Sequence, residues 1–129
     1  MFKGTMTKIA DAAQTTQHLL VKFGTDADHI AIATAAGAPI GACPDTPALG
    51  DSAAVILIGV TDESVTMVAS EAITVGERVF AAAAGKISDL PAAAASYFCV
   101  GQALEAAAED GDEIQIASCV PFTVTVAAG

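Results

Sequence analysis

Read as apolar and polar positions, the chain breaks into short runs rich in β-branched residues, each closed by Gly, Asp or Pro. The runs are Gln17–Phe23, His29–Thr34, Ala53–Thr61, Ser64–Ser70, Arg78–Ala81, Phe98–Ala103, Glu113–Ser118 and Phe122–Val126. Runs of this length, separated by turn residues every ~8–12 positions, predict the strands of a small β-barrel or β-sandwich. In the first run His18, Leu20 and Lys22 share one face, and Leu19, Val21 and Phe23 the other. Val65, Met67 and Ala69 alternate with Thr66, Val68 and Ser70, the period of a strand with one buried face. Only Asp89–Ser96 reads as helical: Asp89 can cap, Pro91 suits a first turn, and four alanines follow. One short helix is expected there. Met1–Thr16 is polar and weakly patterned, which predicts a flexible N-terminal arm (1–16) ahead of a single β-rich domain (17–129).

The pattern also repeats. Pro39–Ile40–Gly41–Ala42 is followed by Gly50–Asp51 and then by the apolar run Ala53–Ile58. Cys99–Val100–Gly101–Gln102 is followed by Gly111–Asp112 and then by Glu113–Ala117. Upstream of each lies an apolar run ending in small residues and Gly, at Ile30–Gly37 and Val79–Gly85, and a third Gly-acid pair, Gly76–Glu77, precedes Arg78–Phe80. Glycine supplies the positive φ of a tight turn, and an acid after it can accept from nearby backbone amides. Gly41, Gly50, Asp51, Gly76, Gly101, Gly111 and Asp112 are therefore assigned to turns of a hairpin unit used twice.

Composition narrows the functional classes. Thirty alanines, no Trp, one Tyr and five Phe imply a thin core built mainly from Val and Ile. A mean hydropathy of +0.58 is high for a lone soluble chain and suggests apolar surface covered by partners. Fifteen acids against five bases give a net charge of −10. The bases Lys3, Lys8, Lys22, Arg78 and Lys86 are scattered, so neither nucleic acid nor an anionic membrane is an expected partner. No apolar stretch reaches the ~18 residues of a membrane helix. Cys43, Cys99 and Cys119 lack paired spacing, which fits small buried hydrophobes in a chain made in a reducing cytoplasm.

Catalytic chemistry finds no motif. The two histidines, His18 and His29, lie in or beside predicted strands with no nucleophile signature near them. The acids sit mainly in turns, and Glu109–Glu113 lacks the ligand spacing of a calcium loop. Glycine-rich phosphate loops are absent. Val75–Val79 is similar to the turn of biotinyl and lipoyl barrels, but Lys86 lacks the flanking residues a carrier lysine has there. The reading is therefore of a non-enzyme, without cofactor or metal.

The order of four pieces goes further: Ile73–Phe80 (ITVGERVF), Gly85–Ser88 (GKIS), Val100–Ala107 (VGQALEAA) and Asp110–Ile116 (DGDEIQI). Together they resemble small phage proteins that decorate or stabilise the capsid, over Ile73–Ala117, with a weaker echo at Ile40–Gly41 and Gly50–Asp51. The resemblance implies a β-rich, often trimeric structural protein of the virion, seated on the exterior of the major capsid protein shell. The polar arm, with Phe2, Lys3 and Lys8, is then the expected capsid contact. The alternatives are another phage β-structural component, such as a head-fibre base or tail-tube-like subunit, and a small ligand-binding or hydrolase barrel.

Overall fold

The computed structural model describes residues 5–60 and 63–127. Among these residues ten strands follow in chain order: β1 (Thr5–Ala10), β2 (Leu19–Phe23), β3 (His29–Ile32), β4 (Gly41–Cys43), β5 (Ser52–Leu57), β6 (Val65–Val68), β7 (Arg78–Ala81), β8 (Ile87–Ser88), β9 (Ala95–Ala103) and β10 (Glu113–Val126). Among the described residues the only helical element is a 3-10 turn at Ala83–Gly85. The fold is mainly β, as the runs of β-branched residues require.

The first five strands close into a barrel in the order β1-β3-β2-β4-β5. There β1 runs parallel to β3, and every other pair is antiparallel. The other five form a sheet ordered β6-β10-β9-β7-β8. Its two edges meet through a parallel bridge between Ala69 and Ile87, beside which Ser70 N–H donates to the Ile87 carbonyl at 2.8 Å. Taken around the ring from that bridge, the order is β6-β8-β7-β9-β10. This is the first barrel's order over again, even to the parallel contact between its first and third strands. The chain folds one five-strand unit twice in tandem, and Gly41 answers to Gly101, Gly50 to Gly111 and Ala10 to Ala69.

Strand burial follows from this arrangement. In β2 both faces are covered: Val21 points into the first barrel with Ile30, Cys43, Ala53 and Val55, while Leu20 joins a larger core shared between the two units. That core combines Leu20, Ala33, Ala42 and Ile58 of the first unit with Val65, Met67, Ile87, Val100, Ile114 and Ile116 of the second, among others. A strand buried on both faces reads as a continuous apolar run, and Leu19–Leu20–Val21 is one. Full burial of each Leu, Ile or Val contributes about 1.5–3 kcal/mol, so the shared core ties the units firmly.

Three expectations are corrected. Thr5–Ala10 is not part of a flexible arm: it is β1, pairing with β5 from Thr5↔Ile56 to Ile9↔Ser52 and closing the barrel. One side of β1 faces solvent, so its apolar signal is faint, and backbone pairing across an otherwise open barrel edge orders it. Asp11 and Gln14 are held too, through Asp11 N–H to the Ile30 carbonyl and Gln14 N–H to the Pro47 carbonyl. Secondly, no helix forms at Asp89–Ser96, where the chain bends and enters β9 at Ala95. Four alanines after a proline are too few to repay helix nucleation, and they carry no apolar stripe to bury. The bend is instead pinned by Tyr97, whose hydroxyl donates to the Ala93 carbonyl at 2.7 Å. Thirdly, Gly41 and Gly101 stand within β4 and β9, not in turns. A Cβ on Gly41 would lie 2.3 Å from the Ile56 carbonyl oxygen, and one on Gly101 2.4 Å from that of Ala117. Both glycines serve close strand approach.

Candidate interaction surface

The Gly-acid pairs build one local device three times. Asp51 N–H bonds the Ala48 carbonyl, Glu77 the Thr74 carbonyl and Asp112 the Glu109 carbonyl, each closing a four-residue turn. Gly50, Gly76 and Gly111 sit third in those turns with φ of 83°, 88° and 94°, and the residues before them have negative φ. That is the type II pattern, which needs Gly at its third position. Each Gly N–H then donates to the carbonyl of a buried alanine, and that alanine's N–H donates to the carbonyl of the acid. The pairs are Gly50/Asp51 on Ala10 (2.9 and 3.0 Å), Gly76/Glu77 on Ala103 (2.9 and 2.8 Å) and Gly111/Asp112 on Ala69 (2.8 and 2.8 Å). Two residues facing one is a glycine-type β-bulge, which twists the ring toward closure. The fourth equivalent place is held by His18, a non-glycine with φ of 65°, whose N–H donates to Cys43. The acid side chains tighten two of the turns: Glu77 accepts from Thr74 N–H at 2.8 Å, and Asp112 from Ala108 and Glu109 N–H at 2.7 and 3.2 Å.

Of the expected capsid contacts, Phe2 and Lys3 lie outside the described residues. Lys8 is on β1, its Nζ donating to the Ala27 carbonyl at 2.6 Å and standing 5.7 Å from the Phe23 ring centre. Lys86 pairs with Asp110 at 2.7 Å, and the Arg78 guanidinium stands 6.0 Å from the Phe122 ring centre. The bases are thus dispersed over the molecule, and no basic face exists among the described residues.

The acids are similarly spread, whereas two of the three thiols meet, Cys119 Sγ donating to the Cys99 carbonyl at 3.8 Å. The Asp26–His29 hydrogen bond, 2.6 Å long, draws the Asp26 carboxyl below its ordinary value and the His29 imidazole above its own. Glu71 is raised, chiefly by a side-chain hydrogen bond with Asp89 and then by burial. Burial pushes the Cys43 and Cys119 thiols up. His18 Nε2 lies 3.7 Å from Glu113 and spans the two units. Among the described residues no three His, Cys, Asp or Glu side chains gather as metal ligands would. The first barrel's interior is filled by its own side chains, as a five-strand barrel is too narrow to enclose a ligand. The described surface includes two open grooves. One, of about 450 Å³, is lined by Arg78, Cys99, Gly101, Cys119 and Phe122, and one of about 500 Å³ by Thr15, Gln17, Thr46, Val68 and Glu113.

The sequence's hydropathy suggested exposed apolar surface without saying where it lies. Leu49 and Val75 occupy the second positions of two bulge turns and are 69% and 57% exposed. Val120 and Phe122, on the last stretch of β10, are 65% and 44% exposed. Alternation in Phe122–Val126 was the available signal. Among the described residues the body is built of strands, with its cores filled and several large apolar side chains turned outward.

The profile of phage cement proteins matches residues 2–118, and the chain belongs to that family. It is a structural protein of the phage capsid. Among solved structures, the head fiber gp8.5 N base of bacteriophage phi29 shares the fold at 19% identity and a TM-score of 0.65, covering 87% of this chain and 90% of that one. No curated protein matches the sequence. Among the described residues no helix is long and apolar enough to cross a membrane.

Proposed function

We propose that the protein decorates the exterior of a phage capsid by binding the major capsid protein, as a homo-oligomer with three copies favoured. The family match over residues 2–118 carries this reading. Its physical support is a pair of five-strand units packed on shared apolar cores, with an apolar surface that a partner can cover. A cement protein that binds only the assembled shell stabilises that shell by mass action. Many copies on one particle let modest single contacts hold together.

The proposed shell-facing side is the one bearing Lys8 on β1, with Lys3 and Phe2 adjoining it along the chain. Because β1 closes the barrel, the test must leave Thr5–Ala10 intact. Purified protein with Phe2→Ala and Lys3→Ala is sedimented with undecorated shells beside the unsubstituted protein. The unsubstituted protein is expected to co-sediment and the double variant to bind more weakly. Equal binding would overturn the role of this end, and no binding by either would overturn decoration itself.

A second reading, a head-fibre base, is favoured by the shared architecture with the phi29 protein. It predicts ordered rings or fibres of the purified protein without shells, visible by negative-stain microscopy.

A further inference from the structure

The two units match strand for strand until their last hairpins end, and there they part. In the first unit, pairing of β4 with β5 runs Ala42↔Ile56 and Gly41↔Leu57. In the second, β9 and β10 pass the matching point, Gly101↔Ser118, and pair again from Phe122↔Cys99 to Val126↔Ala95. The family match also stops at residue 118. A two-stranded ribbon, Ala95–Phe98 with Phe122–Val126, is thus added to the repeated unit.

This ribbon lacks support on either side. β7 pairs with β9 only at Cys99, Gly101 and Gln102, and β6 pairs with β10 only from Glu113 to Ile116. Lone two-stranded ribbons are marginal in water. Cross-strand partners share a face, so Tyr97 and Val124, Ala95 and Val126, and Phe122 form one apolar face. The opposite face holds Ser96, Thr123 and Thr125, with Ser96 and Thr125 hydroxyls 2.9 Å apart, and Phe98, which packs on the shared core. The alternation Phe-Thr-Val-Thr-Val is that of a strand with one buried face. Yet Phe122 is 44% exposed and Tyr97, Val124 and Val126 are only half-buried.

We infer that this apolar face is the contact between copies of the chain, turned toward its counterparts about the symmetry axis of the oligomer. Charge selects the occupant. Each copy carries −10, so most of its surface repels another copy. Leu90–Leu104 and Ile114–Gly129 contain no charged residue, and the fold pairs these two segments with one another. The ribbon is where two such anionic bodies can meet without opposing carboxylates. The ribbon's two strands carry no charge, and the Arg78 guanidinium beside Phe122 adds no carboxylate, so the face suits self-association of apolar side chains. The inference rests on the oligomeric part of the proposed function and names the surface responsible.

Light scattering coupled to size exclusion would compare the full chain with Val124→Glu and Val126→Glu on the apolar face and Thr123→Glu on the other. The unsubstituted chain and Thr123→Glu are expected to be oligomeric. Val124→Glu should weaken association about a hundredfold, as an unpaired charge in an apolar contact does, with an unchanged circular dichroism spectrum. Val126→Glu, at the ribbon's far end, should do the same and serves if Val124→Glu loses its fold. The inference is overturned if the unsubstituted chain is monomeric, if both apolar-face variants assemble normally, or if Thr123→Glu dissociates equally. Shell sedimentation of the same proteins separates the readings. A monomer that loses shell binding on Val124→Glu makes the face a capsid contact and sinks self-association. An oligomer that ignores shells sinks decoration and leaves the ribbon contact standing.

Discussion

Glycine positions in this chain meet two separate demands, and substitution distinguishes them. Gly50 and Gly111 have open space where a Cβ would go, so only the backbone term opposes alanine there. Gly50→Ala or Gly111→Ala should each lower stability by about 1–2 kcal/mol, the cost of a side chain at positive φ. Gly41 is the reverse case, with ordinary φ but the Ile56 carbonyl in the way. Gly41→Val must force β4 off β5 and should cost more than either turn variant. Urea titration of the three variants gives the order directly, and equal losses would refute the distinction.

Also at the residue scale, the Asp26–His29 bond sets a pH window. His29, with its value raised above 6.5, adds stability that is full below 6.5 and is lost as pH rises through the raised value. Asp26, lowered from 3.8, adds stability that is full above 3.8 and is lost as pH falls through the lowered value. The bond therefore counts most between these two ordinary values. Both groups are at the surface, so the contribution is small. An NMR titration should show His29 with a midpoint above 6.5 that returns toward the ordinary value in Asp26→Asn.

At the scale of elements, β2 offers the sharpest contrast, because its neighbouring side chains enter different cores. Val21 fills the first barrel and Leu20 the core between units. Leu20→Ala should cost about 2–5 kcal/mol, the range for a fully buried leucine. Since Gly85 N–H donates to the Ala33 carbonyl beside that core, the loss should be felt in both units. Hydrogen exchange of Leu20→Ala should rise in β2 and in β7–β9 together. A rise confined to the first barrel would mean that the units hold each other less than their shared core implies.

At the scale of the whole molecule, two like units are joined by one apolar core, and this predicts cooperative unfolding. The calorimetric and van't Hoff enthalpies should agree, as in a two-state transition. Two resolved heat transitions would show that the barrels melt separately. The repeat also gives the added ribbon its meaning, since an element present in one unit and absent from its equivalent is not needed to close a barrel. The inferred contact between copies gives it a use.

The sequence by itself determined the strand-rich class, the hairpin used twice and the acidic net charge. These depend on local period, turn chemistry and net charge, which can be read residue by residue. It also carried the family resemblance, in the order of turns between Ile73 and Ala117. Only the tertiary structure decided that Thr5–Ala10 is a strand, because backbone pairing across a barrel seam leaves little trace in side-chain pattern. Gly41 and Gly101 looked like turn residues because a close strand approach and a positive φ select the same amino acid. The alanines after Pro91 looked helical because propensity is local, whereas the adjoining long hairpin, a non-local pairing, prevails. The ribbon's half-covered apolar face needed both: alternation showed that Phe122–Val126 should have a buried side, and the fold showed that a single chain does not bury it.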